Sequence, residues 1–117
     1  MRIELKKFGE FLTSRPAGKE AFLAMSAYLT KGLSEEEIIE IDFSGVKVLT
    51  PSWGDEIITK IVKKFKNVKF MNVENPTVKA TLKTLRKYSG ISHESPPFQG
   101  RYGEEVVSII TIILYGR

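Results

Sequence analysis

The sequence contains no cysteine. That excludes disulfide staples, thiolate metal sites and cysteine nucleophiles, and it suits a reducing compartment such as the cytoplasm. There is one histidine, His93, so a metal site built on several imidazoles is excluded too. No uninterrupted apolar run reaches membrane-spanning length. The longest apolar stretch, Val106 to Tyr115, is broken by Ser108 and Thr111, so no membrane association is expected. The first residues, Met1-Arg2-Ile3-Glu4, lead into an alternating segment and not into the apolar core of a secretory leader. Neither a phosphate-binding glycine loop, a dinucleotide fingerprint nor a nucleophile elbow occurs. With no complete catalytic constellation, the chain is expected to be no enzyme and to use no cofactor.

The 117 residues suit one domain, and a hydrophobic share of 42% is enough for one modest core. Eighteen basic residues face fourteen acidic ones, a net charge of +4. Such an excess suits solubility, an acidic partner or nucleic acid.

Alternation of Ile3, Leu5 and Phe8 with charged residues predicts a half-buried first strand. Ser14 as cap and Pro16 in the first turn open a helix with Ala21, Phe22, Met25, Tyr28 and Leu29 at helical spacing, and Gly32 is expected to stop it. Ser34 to Glu37 resembles a capping box. The segment behind it, Ile38 to Phe43, is too short and too β-branched for a helix, so a buried strand after an acidic loop is expected. A turn-rich connection from Ser44 to Pro51 follows. Ser52 is expected to cap a second helix, with Asp55 completing the box and Trp53, Ile57, Ile58, Ile61, Val62 and Phe65 on its apolar side. Val68 to Val73 reads as a third strand. Asn75 and Pro76 then open a third helix lined by Val78, Leu82 and Leu85, ending before Gly90. The order β-α-β-α-β-α predicts an α/β fold with a mixed sheet and helices packed on it. Residues 89–104, rich in Gly, Pro and Ser, read as a long irregular loop, and 105–115 as a C-terminal strand. That strand completes either this sheet or the sheet of a second copy, which would make a homodimer.

The densest local pattern runs from Asp42 to Asp55, from the end of a strand into the start of a helix, where open α/β sheets usually bind their ligands. Thr50 and Ser52 read first as cap residues and Asp42 as a turn residue. Trp53 reads as a partly buried anchor with a minority interface reading. Asp55 and Glu56 are neighbours, but on a helix they diverge by about 100°, so they form no facing acid–base pair. Lys79, Lys83 and Arg86 share a helix face, with Lys87 beside it. This is a solvated face or, alternatively, a nucleic-acid contact, though no aromatic residues interleave with it.

Asp42-Phe43-Ser44-Gly45-Val46, the Thr50-Pro51-Ser52 helix start and Asp55-Glu56 together resemble the STAS-like domain family of unknown function. So do Gly9, Leu12, Ser14 and Arg15, and so do Asn72 to Pro76 with Val78-Lys79. The similarity covers roughly residues 5–88 and leaves out the tail. It implies a STAS-like α/β domain distantly similar to anti-sigma factor antagonists. In those antagonists a serine at this helix start is phosphorylated by a histidine-kinase-like ATPase, and the phosphate blocks binding. Here Pro51 stands where that serine would be, and Ser52 matches the second serine of the antagonists' Asp-Ser-Ser-Gly motif. The binding surface therefore carries over better than the phosphate switch, for which Ser52 or Thr50 would have to serve.

The resulting expectation is a cytoplasmic regulatory module that binds a protein partner, a histidine-kinase-like ATPase among the candidates. Its surface would comprise Thr50, Ser52, Trp53 and Asp55, flanked by Arg15, Asn72 and Asn75. Two alternatives stay open. One is a nucleic-acid-binding accessory domain using Lys79, Lys83, Arg86 and Lys87, and the other a small-ligand or nucleotide sensor at the same helix start.

Overall fold

The computed structural model describes residues 1–88 and two short strands at 101–102 and 104–105. The chain runs as β1 (Arg2–Glu4), a 3-10 turn (Leu5–Phe8), β2 (Phe11–Leu12), α1 (Arg15–Tyr28), β3 (Ile38–Asp42) and β4 (Val48–Leu49). It continues as α2 (Pro51–Gly54), a wide π-helical turn (Asp55–Thr59), α3 (Lys60–Lys64), β5 (Asn67–Met71) and α4 (Pro76–Tyr88). Finally β6 (Arg101–Tyr102) pairs antiparallel with β7 (Glu104–Glu105), where the stretch expected to be irregular meets the expected C-terminal strand. The expected C-terminal strand otherwise lies outside the described residues.

The α/β class stands, and β1, β3 and β5 form a parallel sheet with β3 in the middle. The element order is more broken than alternation alone suggests. The first strand does not reach Phe8, because the 3-10 turn and Gly9, at φ 130°, interrupt it. The chain then resumes as β2, which pairs in parallel with β4, a strand inside the supposedly turn-rich connection. Glu10 O accepts from Lys47 N and Val48 N, and Leu12 O from Thr50 N, so this second ladder carries the connection across to the helix start.

The period-two pattern sorts the sheet's faces. Ile3, Ile39, Ile41, Val68 and Phe70 are buried and share one core with the helices. The register places Arg2 beside Glu40 and Glu40 beside Lys69 on the opposite face, a charged ladder facing outward. Arg2 Nε lies 3.6 Å from Glu40 Oε1.

Alpha-helical packing centres on the rod formed by α2, the wide turn and α3, whose Trp53, Ile57, Ile58, Ile61 and Val62 are all buried. Ser14 caps α1 as expected, accepting from Ala17 N at 3.3 Å. That helix ends at Tyr28, before Gly32, since Leu29 N and Thr30 N both bond to Met25 O. Where α1 crosses the rod, a Cβ on Gly18 would stand 2.9 Å from both Glu56 Cβ and Trp53 O. On the rod's other side, a Cβ on Gly54 would meet Thr81 Cγ2 of α4 at 3.1 Å. Two glycines thus let three helices close up around the site.

Candidate functional site

At the end of β3 Asp42 is 6% exposed, and its carboxylate accepts from Ser44 N at 2.9 Å and Asn72 Nδ2 at 2.8 Å. Arg2 Nη1 lies 3.7 Å from its other oxygen. Burial works to raise its pKa. The hydrogen bonds from Asn72 and Ser44, with the Arg2 charge, outweigh burial and hold the carboxyl below its ordinary value. Asn72 sits at φ 58°, a left-handed conformation that asparagine tolerates. Its amide therefore serves Asp42 from just beyond β5.

The chain from Val46 to Ser52 is tied down from several directions. Asn75 Nδ2 donates to Val46 O at 3.3 Å and Lys47 O at 2.9 Å. Asn75 Oδ1 accepts from Thr77 N at 2.7 Å and Val78 N at 3.3 Å, the expected cap of α4. Both polar groups of Leu49 end on α4: its N–H donates to Thr77 Oγ1 at 3.0 Å, and its carbonyl accepts from Thr81 Oγ1 at 3.0 Å. Thr50 Oγ1 donates to Leu12 O at 3.3 Å.

The helix start differs from expectation. Thr50, not Ser52, occupies the cap position, and neither it nor Ser52 makes a side-chain cap bond to α2. Pro51 fills the first turn, where its fixed φ suits the helix and its missing N–H costs nothing, so the helix begins two residues earlier than Ser52 would set it. Thr50 and Ser52 are half-buried, with 3.4 Å between their hydroxyl oxygens, and Pro51 is exposed.

Nor does Asp55 complete a capping box. It turns to α1, where Arg15 Nη1 donates to Asp55 Oδ2 at 2.9 Å and to Glu56 Oε2 at 2.7 Å. Glu56 Oε1 accepts from Lys60 Nζ at 2.9 Å, and the residue is 5% exposed. Lys60 first and Arg15 second hold the Glu56 carboxyl below its ordinary value against the opposing effect of burial. Glu56 and Asp55 in turn raise the Arg15 pKa. The two neighbouring carboxylates were expected to point apart, yet one oxygen of each lies within hydrogen-bond distance of the same Arg15 nitrogen, so one long cation gathers both. Glu56 was missed as a site residue; only its adjacency to Asp55 was visible in the sequence.

Trp53 is corrected most firmly. It is 2% exposed, with its ring 6.1 Å from that of Phe8, so it anchors the helix to the core and presents nothing to a partner. The basic stripe is also altered. Lys79, Lys83 and Lys87 are exposed, but Arg86 is half-buried, and burial pushes its pKa down to about 10. The four cations thus form no single solvated row.

An open groove of about 530 Å³ runs beside the helix start. Arg15, Pro51, Ser52, Asp55, Lys63, Thr84 and Leu85 line it. Thr59, from the wide turn, lines it as well; it is 5% exposed and its hydroxyl has no hydrogen-bond partner among the described residues. Nothing in the sequence distinguishes Thr59 from an ordinary helical threonine.

Among the described residues, no group of three or more His, Cys, Asp and Glu side chains is placed to hold a metal ion. No helix among them is long and apolar enough to cross a membrane. His93 lies outside the described residues. No curated protein and no solved structure matches the chain. Residues 27–78, which carry β3, β4, the tethered turn, the buried rod, β5 and the α4 cap, match the family model described as a STAS-like domain of unknown function.

Proposed function

We propose that this is a non-catalytic regulatory domain of the cytoplasm that binds a protein partner reversibly through the start of α2. The observation that carries the reading is the tethering of that start. The backbone from Val46 to Thr50 is hydrogen-bonded to Leu12, Asn75, Thr77 and Thr81, leaving Pro51 and Ser52 on a braced rim beside Arg15 and Asp55. A surface fixed before contact loses little entropy on binding. The resemblance to anti-sigma factor antagonists supplies the partner class, a histidine-kinase-like ATPase. Within this reading Ser52 is the better phosphate acceptor, because the Thr50 hydroxyl is already committed to Leu12 O.

The test compares nuclease-treated pull-downs from source cells using the unaltered chain, Ser52→Glu and a remote control, Lys31→Glu. A defined protein held by the first and third but lost with Ser52→Glu supports the reading. Equal recovery by all three folded proteins would sink it.

A further inference from the structure

The net charge of +4 is not spread evenly over the molecule. Helix α3 carries three lysines and α4 three lysines and an arginine, and neither holds an aspartate or glutamate. Those seven charges exceed the net charge of the whole chain, so the remainder is net negative. A one-sided excess of this kind is the electrostatic footprint of a polyanion. With Arg86 half-buried, the exposed cations of α4 are Lys79, Lys83 and Lys87. They recur every fourth residue and share one face, a row about 12 Å long at about 1.5 Å per residue. Lys63 of α3 is exposed and lines the groove together with Thr84, the neighbour of Lys83 and one turn from Lys87. The row therefore lies beside the groove that Lys63 lines. None of the ion pairs among the described residues takes Lys63, Lys79 or Lys83. The acids of the rod, Asp55 and Glu56, are held instead by Arg15 and Lys60.

We infer that this face of α3 and α4 binds the phosphate backbone of a nucleic-acid duplex without reading its sequence. Four features select that partner. The apolar side of α4, formed by Val78, Leu82 and Leu85, is buried in the core, so the helix has nothing to insert into a lipid surface. Lysine is depleted where proteins meet proteins, and here it dominates. No aromatic residue interleaves with the row, so the unstacked bases of a single strand find no platform. The exposed cations are all lysines, which meet phosphates as point charges and lack the planar fork suited to bidentate recognition of a base. Ser52 and Thr84, half-buried in the same groove, add hydroxyls of the kind that bond phosphate oxygens. The row matches three or four steps of a duplex strand at about 3.4 Å each. DNA and RNA duplexes share this backbone chemistry, and the measurement separates them. The inference goes beyond the protein-contact reading and does not depend on it, because binding is measured on the purified chain with no protein partner present.

The experiment follows the fluorescence anisotropy of a labelled DNA duplex, the RNA duplex of the same sequence and each single strand as the purified full chain is added. Saturable binding to a duplex is expected. It should weaken roughly 40–150-fold from about 50 to about 200 mM salt, the dependence for three or four neutralised phosphates. A preference for one duplex names the nucleic acid. The double variant Lys79→Gln with Lys83→Gln should weaken duplex binding about tenfold or more and flatten the salt slope by about two. Lys19→Gln with Lys31→Gln removes the same charge from exposed positions on and just past α1, and should leave affinity and slope nearly unchanged. All four side chains are exposed, so both variants keep the fold. Absence of saturable binding to either duplex at the lower salt overturns the inference, and so does an equal loss in the two double variants. A single strand held more tightly than its duplex overturns the duplex. Polyglutamate or phosphatidylserine vesicles bound as tightly, with the same loss in the Lys79 and Lys83 variant, overturn nucleic acid as the partner.

Discussion

Arg15 Nη1 stands 2.7 Å from Glu56 Oε2, so an exposed cation at the first turn of α1 closes over an acid that is 5% exposed on the wide turn of the rod. Lys60 holds the acid's other oxygen at 2.9 Å. A buried carboxylate is tolerable only when paired on this scale. The contact fixes where α1 lies, and with it one border of the groove.

Stability should therefore fall in acid. Glu56 and Asp42 both have native pKa values below their ordinary ones. Between the lowered and ordinary values the unfolded chain binds more protons, so acid favours unfolding. The contribution is fully present above the ordinary carboxylate range of about 4 and is lost as pH falls through the lowered values. Glu56→Gln keeps the shape and removes one titration. In urea unfolding it should be less stable than the unaltered chain at neutral pH, with the difference shrinking in acid. A constant difference across the pH range would refute the linkage.

The same crossing has a steric requirement. A methyl at Gly18 would lie 2.9 Å from Trp53 O, a backbone atom that cannot swing aside. Gly18→Ala removes the glycine's helix penalty, worth at most about 1 kcal/mol, but overpacks the crossing, for which about 1–3 kcal/mol is usual. Net destabilisation is expected, read as a lower urea midpoint at unchanged slope. A raised midpoint would show that the helices separate without cost.

Local signals made much of this fold legible. Ser14 and Asn75 cap their helices as their sequence contexts indicate, and the apolar spacing from Trp53 to Val62 marks a buried rod. Short parallel ladders were not legible. Two-residue strands such as Phe11–Leu12 and Val48–Leu49 carry no periodicity, and only their mutual hydrogen bonding makes them strands. The site failed in the same way. Thr50, Pro51 and Ser52 all suit a helix start, and the choice among them rests on Thr50's bond to a distant carbonyl, Leu12 O. The Arg15–Glu56 pair spans 41 positions, a separation no local pattern in the sequence bridges.

Asn75 joins the cap of α4 to the chain that leads into α2. Asn75→Ala removes three acceptor contacts at the start of α4, from Thr77 N, Thr77 Oγ1 and Val78 N, and two donor contacts to Val46 and Lys47. Losing the cap alone should cost about 1–2 kcal/mol. If the tether matters as argued, amide hydrogen exchange should also quicken from Val46 to Ser52, with β5 unaffected. Faster exchange confined to α4 would leave Asn75 a cap and nothing more.

Trp53 offers the sharpest contrast between the surface a sequence suggests and the one the fold provides. It is the single tryptophan of the chain and is 2% exposed, so the native emission reports this position alone. Native fluorescence should be blue-shifted and resist quenching by iodide or acrylamide, turning red and quenchable on unfolding. Trp53→Ala should cost about 3–5 kcal/mol, a large share of the stability of a small domain. Partner binding should then disappear together with the fold. Trp53→Phe, which keeps an aromatic body against Phe8, should stay folded and keep the partner. A folded Trp53→Phe protein that had lost its partner, or a native emission already red and quenchable, would place the indole at the contact surface.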